Sequence, residues 1–420
     1  MPGPLVESPD VRDQASREPS ERAVFAGLLV LSILVVAAYY LASWRSVRAF
    51  VLDIDHCDLL FCDFHRVFYS MGKKILSLKK PLGGYYYSAF AALLLIPFGA
   101  LSRNAGSLAW GIAQVVTTAA FFMLPLRRLL RLRPGAAIGW TLLFLTSFPL
   151  LHNFKWGQFG VILMLCALAA YHLHEEGHPI WAGILLGFAA AIKYYAALLL
   201  LPFLLRGKWR VAIAFAAAVT MFLVVIPWAA IGPAGWLDFQ RRSLDSVEHA
   251  RGWIMSDPNS HYFAHVAERF LGVAKSSAWR HVLEGIGLAI AGGNAFLIWT
   301  MRRSSSGRDV ALSIAGGFLM LPFVVGTSWP HYFAFLPFCQ MAIAREVGAI
   351  EGRRVRAVAA ASIGASIALS SVFAFRAMGG SVGYGKAGAL LISACLAVAA
   401  LHIVVRAARG AIDSARTGST

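Results

Sequence analysis

The sequence predicts an all-α, polytopic membrane protein with about twelve crossings. Three observations carry this. Of the 420 residues, 58% are hydrophobic and only 14% charged. Apolar runs of about 18 residues or more, enough for a helix to cross a bilayer core, recur along the chain. Two long stretches, 45–83 and 232–280, break an otherwise short set of connections. The balance of 38 Lys+Arg against 21 Asp+Glu gives a formal charge of +17, which in a soluble chain would suggest nucleic acid. Here the basic residues sit mostly at the ends of apolar runs, so they read as topology signals facing anionic lipid headgroups, and no nucleic-acid partner is expected.

Residues 1–23 are polar and rich in Pro, Ser, Arg and Glu, the composition of a disordered cytoplasmic tail. The run 24–44 is too long for a signal-peptide core and lacks a small-residue cleavage site, so it is expected to stay as an anchor. Further spans are expected near 84–101, 108–126, 135–152, 157–173, 179–204, 210–231, 281–301, 309–327, 332–345, 356–376 and 384–405, giving one transmembrane domain over 24–405 and a cytoplasmic tail over 406–420. The clusters "MRRSSSGR" (301–308), "REVGAIEGRRVR" (345–356) and the late "VRAARG" fall on one side if every span crosses, and that side should be the cytoplasm. Both long loops and "GTSWPHYF" (326–333) then face outward. The cluster "RRLLRLR" (127–133) disagrees, which points to a miscounted or re-entrant span between 84 and 180.

The first loop holds "VLDIDHCDLLFCDFHRVFYSMGKKIL" (51–76), with Asp53, Asp55, Asp58 and Asp63. Phe64, Val67, Phe68, Met71, Ile75 and Leu78 recur at helical spacing, with His65, Arg66, Tyr69, Lys73 and Lys74 opposite. That pattern predicts an amphipathic helix on the outer membrane surface. Asp63 directly precedes it, where Asp is a preferred N-cap; taken alone, capping is the simpler role. Asp53 and Asp55 form a D-x-D, which holds a divalent cation in some transferases, although two solvated carboxylates explain it as well. Asp58 has no partner to define a role. Cys57 and Cys62 share the loop, where a disulfide can form, while Cys166, Cys339 and Cys395 lie in apolar runs and read as small core residues.

Farther on, "PLGGYYYSAFAALLLIPF" opens a span with Tyr85, Tyr86 and Tyr87, either an interfacial belt or the lining of a sugar site. Lys193 lies deep in an apolar span, at least ten residues from either end. Snorkelling from there is difficult, so function or a buried ion pair is favoured. "SDPNSHYFAHVAERFLG" carries Asn259, Ser260, His261 and His265; the two histidines are four apart but lack a third ligand, and surface histidines are the simpler reading. "SWPHYFAFLPF" sets His331 beside Trp329 and Tyr332 at the mouth of a span, where an imidazole can donate to a phosphate or move a proton.

Together these segments resemble the GT-C-type membrane glycosyltransferases of family 87, which include phosphatidylinositol mannoside mannosyltransferases. The resemblance rests on "CDFHRVFYSMGKKIL", "GYYYSAFAALLLIPF", "GQFGVILML", "AGILLGFAAAIKYYAALLLLPFLL", "NSHYFAHVAERFLG" and "WPHYFAFLPF", in the expected order over residues 53–338. It implies a GT-C-like helical bundle with outward-facing loop helices. It also implies inverting transfer of a sugar, mannose by analogy, from a polyprenyl-phosphate donor to a lipid-linked or glycan acceptor at the outer face. By position it assigns the catalytic carboxylate to Asp63, against the cap, with Asp53, Asp55 and Asp58 as second choices. His331, Lys193 and Arg66 would receive the donor phosphate, and Tyr86, Tyr87, Asn259, Trp329 and Tyr332 would line the substrates. A monophosphate donor makes little demand for a metal, and no cofactor is expected. One departure is Ser88-Ala89, where the family carries Pro-Pro. A lipid or solute transporter or flippase is the competing class, but it would favour repeats between halves of the chain, and none is evident.

Overall fold

Every regular element among the described residues is a helix. The structure is a computed structural model, and it describes residue 27 and residues 60–272, 277–304 and 306–417. The expected tail 1–23, almost all of the 24–44 span, and Asp53, Asp55, Cys57 and Asp58 lie outside the described residues. Cys62 is disulfide-bonded, whereas Cys166, Cys339 and Cys395 are free.

Among the described residues, five helices are long and apolar enough to cross a membrane: Arg103–Leu129, Trp209–Ser256 (kinked at Gly232), Ala278–Thr300, Gly307–Val324 and Ala389–Arg409. A sixth is added if Phe148–Trp156 and Gly160–Glu175, bent by 119°, form one span. The expectation of about twelve is not reached on length and composition, because several apolar runs are broken. The 84–101 run divides into Ala89–Leu94 and Ile96–Gly99 beside Pro97. The 179–204 run leaves the helix at Lys193, whose φ of −144° and ψ of 117° are extended, before a 3-10 segment at Tyr194–Leu200. Proline and a helix break both remove backbone hydrogen bonds that an uninterrupted span keeps.

The basic clusters meet at one end of the bundle. Arg345 donates to the Leu130 carbonyl at 3.0 Å, Arg308 pairs with Glu346 at 3.1 Å, and Arg206 reaches the Met301 carbonyl at 3.3 Å. The cluster 127–133 therefore sits with 301–308 and 345–356 rather than opposite them. The sharp bend at 157–159 lies within the stretch where the sequence count failed.

The first-loop helix corrects a second expectation. A π-helical turn, Phe64–Phe68, runs into Tyr69–Leu78. Phe64, Phe68, Met71 and Ile75 are buried as the periodicity requires. Their face packs on protein rather than lipid: a Cβ on Gly72 would meet the Leu95 carbonyl at 2.2 Å, and one on Gly99 would meet the Lys73 nitrogen at 2.4 Å. Only glycine permits that backbone approach. Tyr69 is buried as well, its hydroxyl donating to the Leu101 carbonyl at 2.9 Å.

Pro179–Ile192 packs closely on Trp209–Thr220 through Gly183 and Gly187. Cβ atoms there would lie 2.4 Å from the Val211 carbonyl and 2.6 Å from the Ala218 Cβ. This small-xxx-small contact is a common way for apolar helices to approach, and it aims the helix end that carries Lys193. The departure at Ser88 also finds its function in the fold. Ser88 caps Ala89–Leu94, its Oγ accepting from Ala91 N at 3.0 Å, and its hydroxyl donates to the Ala191 carbonyl. A capping serine thus starts the helix where proline would otherwise set φ.

Candidate active site

A cavity of about 830 Å³ is lined by every described residue that the sequence singled out for the site: Asp63, Arg66, Tyr86, Tyr87, Lys193, Asn259, Trp329, His331 and Tyr332. They come from five separate stretches of chain, so only folding brings them together.

Asp63 is delivered by an unusual turn. Phe61 has φ of +56°, a left-handed conformation that costs a non-glycine residue about 1–2 kcal/mol. Its N–H donates to the Lys155 carbonyl at 2.8 Å, and its ring packs edge-on against Phe154 with centroids 5.3 Å apart. Although Asp63 stands at the N-cap position, its side chain makes no capping hydrogen bond. One oxygen, Oδ2, instead accepts from Nε2 of Gln158. Burial raises the carboxyl pKa to about 6, while Lys193, the Gln158 hydrogen bond and Arg66 pull it back down. The capping role is therefore not what holds this carboxylate.

Lys193 Nζ donates to the Tyr87 hydroxyl at 3.1 Å. It also lies 4.2 Å from the Tyr332 ring centroid, 4.5 Å from that of Tyr87 and 5.7 Å from that of Tyr195. Three electron-rich faces thus replace part of the hydration that the ammonium lost. Tyr85 and Tyr87 are buried in the core, which rules out the interfacial belt for them. Tyr86 remains half-buried on the cavity wall.

His331 is 5% exposed, and neither ring nitrogen has a hydrogen-bond partner among the described residues. It stacks on His152 with centroids 5.6 Å apart. Burial first, then Lys193 and His152, hold its pKa well below the ordinary histidine value, so the site presents a neutral imidazole. Two buried ring nitrogens without partners are costly, and they belong to a residue that lines the cavity. Another part of the lining is apolar and aromatic, with Trp253 and Trp329 rings 5.9 Å apart and Val247 and Ile254 in the same cavity wall.

His261 and His265 are not surface residues: they are 0% and 5% exposed. His265 Nδ1 shares a hydrogen bond with Ser260 Oγ at 2.7 Å. No group of three potential metal ligands occurs among the described residues. Sequence reasoning passed over His152, Trp156, Tyr195, Trp253 and above all Gln158, all of which line the cavity. For Gln158 a signal was present, since it is the polar residue of "GQFG", a segment that already stood out by resemblance.

Among the described residues, a helical chain with several helices long and apolar enough to cross a membrane gathers a carboxylate, a lysine and a histidine around one cavity. Residues 85–325 match the model of glycosyltransferase family 87, and the chain belongs to that family. The chain is similar to the polyprenol-phosphate-mannose-dependent alpha-(1-2)-phosphatidylinositol pentamannoside mannosyltransferase of Mycolicibacterium smegmatis, with 26% identity over 276 residues. That alignment covers 64% of this chain and 64% of the relative's length. No solved structure matches. The family match includes Tyr87, Gln158, Lys193 and Asn259 but not Asp63 or His331; it is the cavity that groups these two with the rest.

Proposed function

We propose that the chain is an inverting transferase that moves a hexose, mannose by similarity to its relative, from a polyprenyl-phosphate donor to a lipid-linked or glycan acceptor at the outer membrane face. The observation that carries this reading is the partly desolvated Asp63 carboxylate in one cavity with Lys193 and an unpartnered His331. An acceptor hydroxyl is a weak nucleophile at neutral pH, and a base with a pKa of about 6 is about nine-tenths ionised there while still able to take a proton. Asp63 removes the hydroxyl proton as the acceptor oxygen bonds to the anomeric carbon. The bond from that carbon to the phosphate oxygen breaks, its electron pair leaving with the polyprenyl phosphate. A single displacement inverts the anomeric centre, and Asp63 then returns its proton to water.

The departing phosphate gains one negative charge. His331 as a neutral donor, with Lys193 and Arg66 as cations, stabilises that charge where it develops. Tyr86, Tyr87, Asn259, Trp329 and Tyr332 supply hydroxyls, an amide and ring faces for sugar and lipid. A monophosphate leaving group served by these side chains needs no metal, and the basic clusters gathered at one end of the bundle mark that end as the cytoplasmic one. The test is transfer of radiolabel from polyprenyl-phosphate mannose to a membrane-lipid extract by the purified protein. Label transfer that is lost in Asp63→Asn supports the reading; full transfer in that variant overturns it.

A further inference from the structure

Asp63 and Lys193 are the two ends of one hydrogen-bonded chain. Lys193 Nζ donates to Tyr87 Oη at 3.1 Å, the Tyr87 hydroxyl donates to Gln158 Oε1, and Gln158 Nε2 donates to Asp63 Oδ2. The direction of each bond follows from the groups. An ammonium only donates, so Tyr87 Oη accepts from it and must send its own O–H onward. Gln158 Oε1 takes that proton donor, which leaves the NH₂ of the same amide turned toward a carboxylate that can only accept. Reversing the amide would set carbonyl against carboxylate and NH₂ against the tyrosine O–H.

Gln158 is itself fastened independently of this chain. It is 4% exposed; its carbonyl accepts from Gln114 Nε2 at 3.1 Å and its N–H donates to the Asn153 carbonyl at 3.0 Å. Gln114 and Asn153 are fully buried and joined side chain to side chain at 3.3 Å. The residue before it, Gly157, has φ of +65°, and a Cβ there would come within 2.9 Å of both Phe61 and Trp110. The turn is therefore locked against the segment that delivers Asp63. The other carboxylate oxygen, Oδ1, has no hydrogen bond from a described residue and belongs to a side chain that lines the cavity.

We propose that Gln158 is a positioning residue for Asp63: its amide, oriented by Tyr87 and Lys193, holds one carboxylate oxygen so that the other meets the acceptor hydroxyl. The inference rests on Asp63 as the base. The charged and titratable groups facing Asp63 are Lys193, Arg66 and Tyr87, and none of them makes the direct hydrogen bond that Gln158 makes.

The measurement is the pH dependence of kcat/KM for label transfer in Gln158→Met, Gln158→Glu and Tyr87→Phe, with each variant's thermal unfolding followed in the same detergent. Removing a hydrogen bond from the carboxylate weakens its ionised form, so in Gln158→Met the acid limb moves up by about one pH unit. It should move further in Gln158→Glu, where a like charge is added, and less in Tyr87→Phe, where the amide only loses its anchor. Plateau kcat falls about tenfold in Gln158→Met while the donor KM stays within about twofold, because the lost geometry belongs to the base rather than to donor binding. A folded Gln158→Met with an unmoved acid limb and a uniform loss at every pH overturns the inference. If Gln158→Met does not fold, the other two variants decide by the same shift. Asp63→Asn separates the two readings: an inactive Asp63→Asn with unmoved limbs in the Gln158 variants removes only the positioning role, whereas an active one removes the base itself.

Discussion

Asp63 stands at the N-cap position before Phe64–Phe68, yet its carboxylate is held from outside that helix by Gln158, 95 residues along the chain. A cap would have pinned the oxygens against backbone N–H groups. Held from the side, the same carboxylate keeps an edge toward the cavity.

Asp63→Asn should lower kcat by about 10²–10⁴-fold, the range of a lost general base. In the wild type, activity should fall as pH drops through about 6, because protonation removes the base. Stability should move the other way. The folded pKa is raised, so the cost of burying the anion is present above about 6 and is relieved as pH falls toward the ordinary value of 3.8. Thermal unfolding of Asp63→Asn at pH 8 should therefore be no lower than wild type while label transfer is lost.

His331→Phe should reduce kcat by about 10²–10³-fold with a smaller effect on donor KM, since its donor acts mainly on the charge that develops on the leaving phosphate. Steady-state transfer with varied donor checks this. A KM effect alone would make His331 a ground-state contact.

Lys193→Met should raise the acid limb of the wild-type profile, because Lys193 lowers the Asp63 pKa. It should also weaken donor binding. Leaving the limb in place would disconnect Lys193 from the carboxylate, whatever happened to the rate.

Gly157→Ala places a Cβ 2.9 Å from Phe61 Cβ and from Trp110 Nε1 at a position whose φ is +65°. A destabilisation of about 1–3 kcal/mol is expected from strain and crowding together, with transfer lost in proportion to the folded fraction. Denaturant unfolding measures it directly.

Transfer should persist in excess EDTA. Loss of activity on chelation, restored by Mg²⁺ or Mn²⁺, would move the chemistry to Asp53 and Asp55, the hard-oxygen pair of the same loop.

The helical membrane character was legible because it depends on composition and run length, quantities local to the sequence. The buried face of the first-loop helix was legible from its 3.6-residue period, but the period is the same whether lipid or protein covers that face. Gly72 and Gly99, which decide in favour of protein, carry no such signal until the partner backbone is known. The crossing count is not confirmed where Pro97, Lys193 and the Gly157 turn break apolar runs into helices too short to pass on length. Hydropathy averages over a break; backbone hydrogen bonding does not.

Sequence alone determined the kind of chain, the residues worth watching, and the order of motifs that resembles one transferase family. It named Lys193 because an ionisable group deep in an apolar run is too costly to be incidental, and through the family resemblance it named Asp63 and His331, with Tyr86, Tyr87, Trp329 and Tyr332 as lining. Only the tertiary structure decided that they share one cavity, that Asp63 does not cap its helix, that Lys193 sits at a break among three rings, and that Gln158 links the two. Such facts belong to hydrogen bonds between residues far apart in sequence. Their direction is fixed by which partner can donate and which can only accept, and that is settled when the chain has folded.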